Sequence, residues 1–271
     1  MRHGKSVRGM CAALASAALL LGCGPGPSAD GPAPATPGTT EDTPPPAGAA
    51  GDGTVPLPGG VPAPATDGLR TPRSAAEARE VVRAVAVAPE DFGSGFRPQD
   101  PYEADPDTWA VLGDDCVWLR EPLPPQVLAG LTRYVESPAV TEGGGPLQVM
   151  YSITVHDGED SADARMADIL EEVLRCPEQQ LRSDERVTSL TSAGTSGDHP
   201  AVDDLIDERG LFHSDLHGGP YAYQWLVSRA GPVIVALSVK GSADHPDHAA
   251  LREVSGPVLT LMQAAIEKEL R

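Results

Sequence analysis

Tyr221-Ala222-Tyr223-Gln224-Trp225-Leu226-Val227-Ser228-Arg229-Ala230-Gly231-Pro232-Val233-Ile234-Val235-Ala236-Leu237-Ser238-Val239-Lys240 reads as two strands and a reversal. Both runs are rich in β-branched and aromatic residues, which suit a pleated, half-buried surface. Arg229-Ala230-Gly231-Pro232 between them is a tight-turn signal, so the pair is an antiparallel hairpin over Tyr221–Ser228 and Val233–Lys240. Further strands are expected upstream at Arg186–Ser192 and Ala201–Phe212. From Leu147 to Val155, Val149, Tyr151, Ile153 and Val155 alternate with Met150, Ser152 and Thr154, a strand with one buried face. Shorter strands fit Cys116–Leu119 and Gly130–Glu136.

Three helices separate these runs. Ser74 can cap a helix to Ala88, with Ala78, Val81, Val82 and Val85 on one face and Pro89 after its end. Asp160 or Ser161 caps a second, in which Met166, Ile169, Leu170, Val173 and Leu174 form a stripe read as buried; Pro177 stops it after Cys176. A third runs from about Asp247 to Leu270, with Pro257 expected to kink or divide it. The order helix, strands, helix, strands, helix indicates an α+β fold, a mostly antiparallel sheet with flanking helices.

Ahead of this domain, placed at 74–271, the chain reads differently. Residues 1–22 hold Arg2, Lys5 and Arg8, then an apolar stretch from Met10 to Leu21, too short for the ~20 residues that span a bilayer. That is a secretory signal peptide. It ends in Leu20-Leu21-Gly22-Cys23, which resembles a bacterial lipobox; the resemblance implies cleavage after Gly22 and a diacylglyceryl (palmitate-type) anchor on Cys23. More than one acyl chain is needed for stable anchoring, and a diacylglyceryl group meets that condition. Residues 23–73 are dominated by Pro, Gly, Ala and Thr, a composition that cannot offset the entropy of ordering, and read as a disordered spacer. The expected address is the extracytoplasmic face of the cell membrane.

Charge narrows the partners. Thirty-nine acidic residues against 20 basic give −19. Loss of the signal removes three basic residues and no acidic one, moving the charge to −22. Nucleic acid is excluded, because phosphate neutralisation needs basic patches. Membrane attachment then rests on the lipid, and a small-molecule or protein ligand is allowed by the charge.

Of four cysteines, Cys11 leaves with the signal and Cys23 takes the lipid, leaving Cys116 and Cys176. An even remainder in an oxidising compartment favours a disulfide. Its closed loop of about 60 residues restricts the unfolded chain by roughly 4 kcal/mol on the chain-entropy model.

Chemical motifs are sparse. No Gly-x-Ser-x-Gly elbow occurs, Gly194-Thr195-Ser196-Gly197 reads as a flexible turn, and Gly143-Gly144-Gly145 lacks the Lys and Ser/Thr of a phosphate loop. Asp114-Asp115, Asp203-Asp204 and Glu171-Glu172 are adjacent acids rather than an opposed glycosidase pair. No cofactor is indicated. His213 and His217 stand four apart, and His245 and His248 follow, the weak basis for an alternative reading as a metal-binding lipoprotein. An unrecognised envelope hydrolase is a second alternative. Trp109, Trp118 and Trp225 are candidates to line a ligand groove.

The layout resembles the extracellular sensor domain of PknH-type mycobacterial receptor kinases and the actinobacterial lipoproteins that share it. The matching features are the opening helix leading to Ala88-Pro89-Glu90-Asp91-Phe92, Asp115-Cys116-Val117-Trp118 on an early strand, and Ala162-Asp163-Ala164-Arg165 opening a helix that ends in Leu174-Arg175-Cys176. The hairpin from Trp225 to Val235 before a terminal helix completes them. The resemblance covers roughly residues 75 to 270. It implies a groove beside an antiparallel sheet, no enzymatic activity and binding of an extracellular ligand. The kinase sensors have two disulfides, whereas this chain has cysteines for one, and it carries no kinase segment.

Overall fold

The structure, a computed structural model, describes residues 68–196 and 202–271. The signal peptide, Cys23 and most of the spacer lie outside the described residues. Leu69 is buried in the core, and Arg70 donates its backbone N–H to the Leu270 carbonyl at 2.8 Å.

Ser74 caps α1 (Ala75–Val85) as its sequence requires, its hydroxyl accepting from the Glu77 backbone N–H at 3.2 Å. A 3-10 turn, Pro89–Phe92, leads to β1 (Arg97–Glu103), β2 (Thr108–Leu112), β3 (Trp118–Pro122), β4 (Val127–Ser137) and β5 (Leu147–His156). Next come α2 (Glu159–Arg175), β6 (Gln179–Arg182), β7 (Glu185–Ser196), β8 (Asp204–Ser214), β9 (Gly218–Ala230), β10 (Val233–Lys240) and α3 (His248–Leu270). Eight strands form one antiparallel sheet in the order β1-β4-β5-β10-β9-β8-β7-β6, and β2 pairs with β3 in a separate hairpin. The fold is α+β with helices flanking an antiparallel sheet, the class expected.

The β9–β10 hairpin is the centre of that sheet. Ala230 pairs with Val233, leaving Gly231-Pro232 as a two-residue turn, and Gly231 has φ +54, which its lack of a Cβ permits. Strand alternation then sorts the core into two layers. Leu226, Val235, Leu237 and Val239 join Val149, Tyr151 and Ile153 beneath α1 and α3. Tyr223, Trp225, Val227, Ile234 and Ala236 face the other way, toward α2.

Several local expectations are corrected. β1 and β2 occupy a Pro- and Asp-rich stretch where the sequence marks no strand; two prolines place β1 at a sheet edge, where a missing N–H costs nothing. Gly194–Ser196 is the end of β7, not a turn. The second helix starts at Glu159 with Gly158 as its N-cap, and no side chain caps it. Met166, Ile169 and Val173 are buried there, but Leu170 and Leu174 are 39% and 82% exposed. The buried face is turned toward Ala162 and Glu172, because α2 lies on the sheet along a narrower stripe than its apolar residues would allow. α3 is undivided despite Pro257. Gly256 just before it has no Cβ to make helical geometry unfavourable ahead of the proline ring.

Candidate functional site

On the α2 side the sheet curls until its far edge meets its beginning. Arg182 of β6 lies over the Tyr134 ring of β4 at 5.7 Å, although six positions of strand order separate them. The β2–β3 hairpin spans the opening. It is held to β6 by a bridge between Val117 and Gln180 and by the Trp118 indole N–H donating to Gln179 Oε1 at 2.8 Å. Cys116, just before β3, is joined by a disulfide to Cys176 at the end of α2, with Cα atoms 5.5 Å apart. Hairpin, helix and sheet edge are thereby tied together.

They enclose a cavity of about 200 Å³. Its floor is the solvent-side alternation of the central strands: Met150, Ser152 and Thr154 of β5, with Ile234, Ala236 and Ser238 of β10. The residues that the β5 pattern marked as its polar face therefore line an interior space. Pairing sets them in rows, so that Tyr134, Met150, Ser238 and Trp225 stand side by side on β4, β5, β10 and β9.

All three tryptophans converge on this space. Trp118 packs edge to face on Trp225, with centroids 5.4 Å apart and planes at 87°. The Arg165 guanidinium lies 5.2 Å from the centroid of Trp109. Trp225 is buried and its indole N–H has no partner.

Four cations from four elements complete the wall, and sequence reasoning missed every one. Arg120 comes from β3, Arg165 from α2, Arg182 from β6 and Lys240 from β10. No Asp, Glu, His or Cys is among the described residues lining the cavity. Two of the cations are neutralised from behind. Arg165 donates to Glu172 at 2.7 Å, and Lys240 donates to Glu185, which also stands 3.8 Å from Arg182. Burial pulls the Lys240 ammonium below the usual lysine value, and Glu185 opposes that pull. Arg120 has no carboxylate partner among the described residues: it donates to the Thr108 carbonyl at 2.7 Å and to the Thr108 hydroxyl at 2.9 Å.

Behind α2, outside the cavity, Glu208 is 1% exposed and neither carboxyl oxygen has a partner. Burial and the nearby Glu172 push its pKa up to about 8.

The four candidate histidines sit on different segments. His213 contacts the Thr188 hydroxyl at 3.0 Å, His217 lies in the β8–β9 turn, His245 contacts the Ser242 hydroxyl at 3.5 Å, and His248 opens α3. Among the described residues, no three His, Cys, Asp or Glu side chains gather as a metal-ligand set. Asp203 and Asp204 both bind Arg229, at 3.2 and 2.5 Å, as structural ion pairs.

No family model matches the chain, and no curated protein matches it. Among solved structures it is similar to the extracellular domain of PknH from Mycobacterium tuberculosis, at 12% identity over 69% of this chain and 95% of that one, with a TM-score of 0.42. It is also similar to a putative uncharacterized protein, an Rv0999 ortholog, from Mycobacterium smegmatis, at 12% identity over 73% of this chain and all of that one, with a TM-score of 0.32.

Proposed function

We propose that this protein is a non-enzymatic, sensor-like lipoprotein, anchored through Cys23 on the outer face of the cell membrane, whose folded domain binds a small ligand in the cavity between the curled sheet, α2 and the β2–β3 hairpin. The observation that carries the reading is the convergence of Trp109, Trp118 and Trp225 on one enclosed space. Ligand sites are concave, mostly apolar and furnished with few polar groups. At about 200 Å³ this one falls below the roughly 300–1,000 Å³ usual for drug-sized ligands. A small molecule or one arm of a larger one fits, and a folded protein partner does not.

Turnover is disfavoured by the composition of the wall. The wall offers hydroxyls, Ser152 and Ser238 among them, but the one amine that could activate them, Lys240, is engaged with Glu185. The carboxylate, imidazole or thiol that most hydrolases use is not among the described residues lining the cavity.

Blocking the cavity tests the reading. Ser152 lines it from β5, so Ser152→Phe fills the floor. Fractionated small-molecule extracts of the cell envelope are screened for quenching of tryptophan fluorescence and for a rise in Tm. Fractions active on the natural sequence are expected to lose both effects on the folded Ser152→Phe variant. Equal response of the two proteins would overturn the cavity as the binding site.

A further inference from the structure

Resting on the cavity as a binding site, we infer the chemical class of its ligand: a small singly charged anionic amphiphile, its carboxylate held by Arg120 and Arg182 and its apolar body against the tryptophans. In a chain of net charge −19, an interior space lined by four cations and no acid runs against the rest of the molecule. Arg165 and Lys240 are largely buried in the wall, whereas Arg120 and Arg182 are exposed and stand where the space opens to solvent.

The two arginines differ from the other cations in what they have left to offer. Arg165 and Lys240 spend their charge on Glu172 and Glu185. Arg120 makes no ion pair among the described residues, and Arg182 has only the Glu185 carboxylate at 3.8 Å. Both also line an outer depression that shares Gln99, Thr108 and Tyr134 with the cavity, which puts them at the junction of the inner space and its mouth. A guanidinium presents a planar fork to a carboxylate, and two of them can clamp one headgroup. Inward of them the surface is Trp118, Trp225, Met150 and Ile234, which supplies the apolar half of the recognition.

The same mouth selects the charge. Asp100, Glu103 and Asp105 line the outer depression only, and Glu103 is paired with Arg133 at 3.0 Å. Asp100 and Asp105 stand beside Arg120 and Arg182 in that depression, so further negative charge on the ligand meets carboxylates there, whereas one carboxylate needs only the two guanidiniums.

The test uses the full chain carrying Cys23→Ser, so that no acyl group of its own competes, and four probes: decanoate, decanol, decyltrimethylammonium and inorganic phosphate. Binding is read by tryptophan quenching and calorimetry below micellar concentrations. Decanoate is expected to bind at least tenfold more tightly than decanol, with no measurable binding of the ammonium or of phosphate. Arg182→Gln and Arg120→Gln are each expected to remove the preference for decanoate over decanol; Arg182→Gln serves if loss of the Thr108 contacts unfolds the β2–β3 hairpin in the other. Equal affinity for decanoate and decanol would overturn the anion inference while leaving the cavity as a binding site. Tighter binding of the ammonium would overturn it in sign. Failure of all four probes, with Ser152→Phe indistinguishable from the natural sequence toward envelope extracts, would overturn both.

Discussion

Glu208 is the residue at which this fold departs furthest from what its sequence prepares. An acid at the midpoint of β8 reads as a solvent-facing strand position, yet its register partner is Trp225 and it points under α2. The titratable groups that act on it are Glu172 of α2 and Tyr223 of β9, the phenol being pushed up mainly by its own burial. Its pKa rises from 4.5 to about 8, so the native state holds the proton more tightly than the unfolded one. The stability this gives is complete below about pH 4.5 and is lost as pH rises through about 8. His156 has the opposite sense: burial, then Arg165, lower it from 6.5 to about 4, and its contribution is lost as pH falls through that range. Between pH 4.5 and 6.5 the two slopes oppose each other, and above 6.5 only Glu208 still titrates. Thermal unfolding is expected to show Tm falling from pH 6.5 to 8, and Glu208→Gln to flatten that fall. At pH 8 the variant should gain about 4 °C or more, equivalent to ~1–2 kcal/mol in a domain of this size. An unchanged alkaline slope in Glu208→Gln would reject the assignment.

Elements with a strong local pattern stand where the sequence places them: α1 with its Ser74 cap, β5 with its alternation, the β9–β10 hairpin and the capped start of α3 at Asp247. β1, β2 and β6 do not, because each is short and pairs at an edge or outside the main sheet, where neighbours rather than propensity decide the conformation. The stripe on α2 fails for a related reason. Periodicity reports which residues could be buried, and the contact with the sheet reports which are. The Cys116–Cys176 disulfide was legible from cysteine parity, but its task, holding the β2–β3 hairpin against the end of α2, was not. Replacing both cysteines with alanine is expected to cost about 2–4 kcal/mol, lowering Tm by roughly 4–16 °C. The same variant should lose the tryptophan quenching produced by cavity ligands, since Trp118 is displaced with the hairpin. Retained quenching at temperatures where the variant is folded would separate the disulfide from the site.

At the scale of the whole molecule, charge and attachment are coupled. A chain of −19 has no attraction to anionic headgroups, so the membrane attachment proposed here has to come from the acyl group on Cys23. No described helix is long and apolar enough to cross a membrane. Cys23→Ser is therefore expected to move the protein from the membrane to the soluble fraction on cell fractionation, with labelled palmitate incorporated only into the natural sequence. Persistence of the variant in the membrane fraction would point to a second attachment. On the proposed reading, a monoanion entering from outside passes Asp100 and Asp105 at the mouth before it reaches Arg120 and Arg182.

Chain neighbours fix periodicity, turn chemistry and cysteine parity, so class, hairpin, helix count and disulfide could be read from residues taken in order. The three tryptophans could be named as candidates for the same reason, aromatic side chains being conspicuous in a chain with so few. Convergence could not. Arg120, Arg165, Arg182 and Lys240 come from a hairpin, a helix and two strands that meet only because eight strands pair and curl until β6 reaches β4. That meeting is a sum of long-range pairings, and no window of sequence contains it.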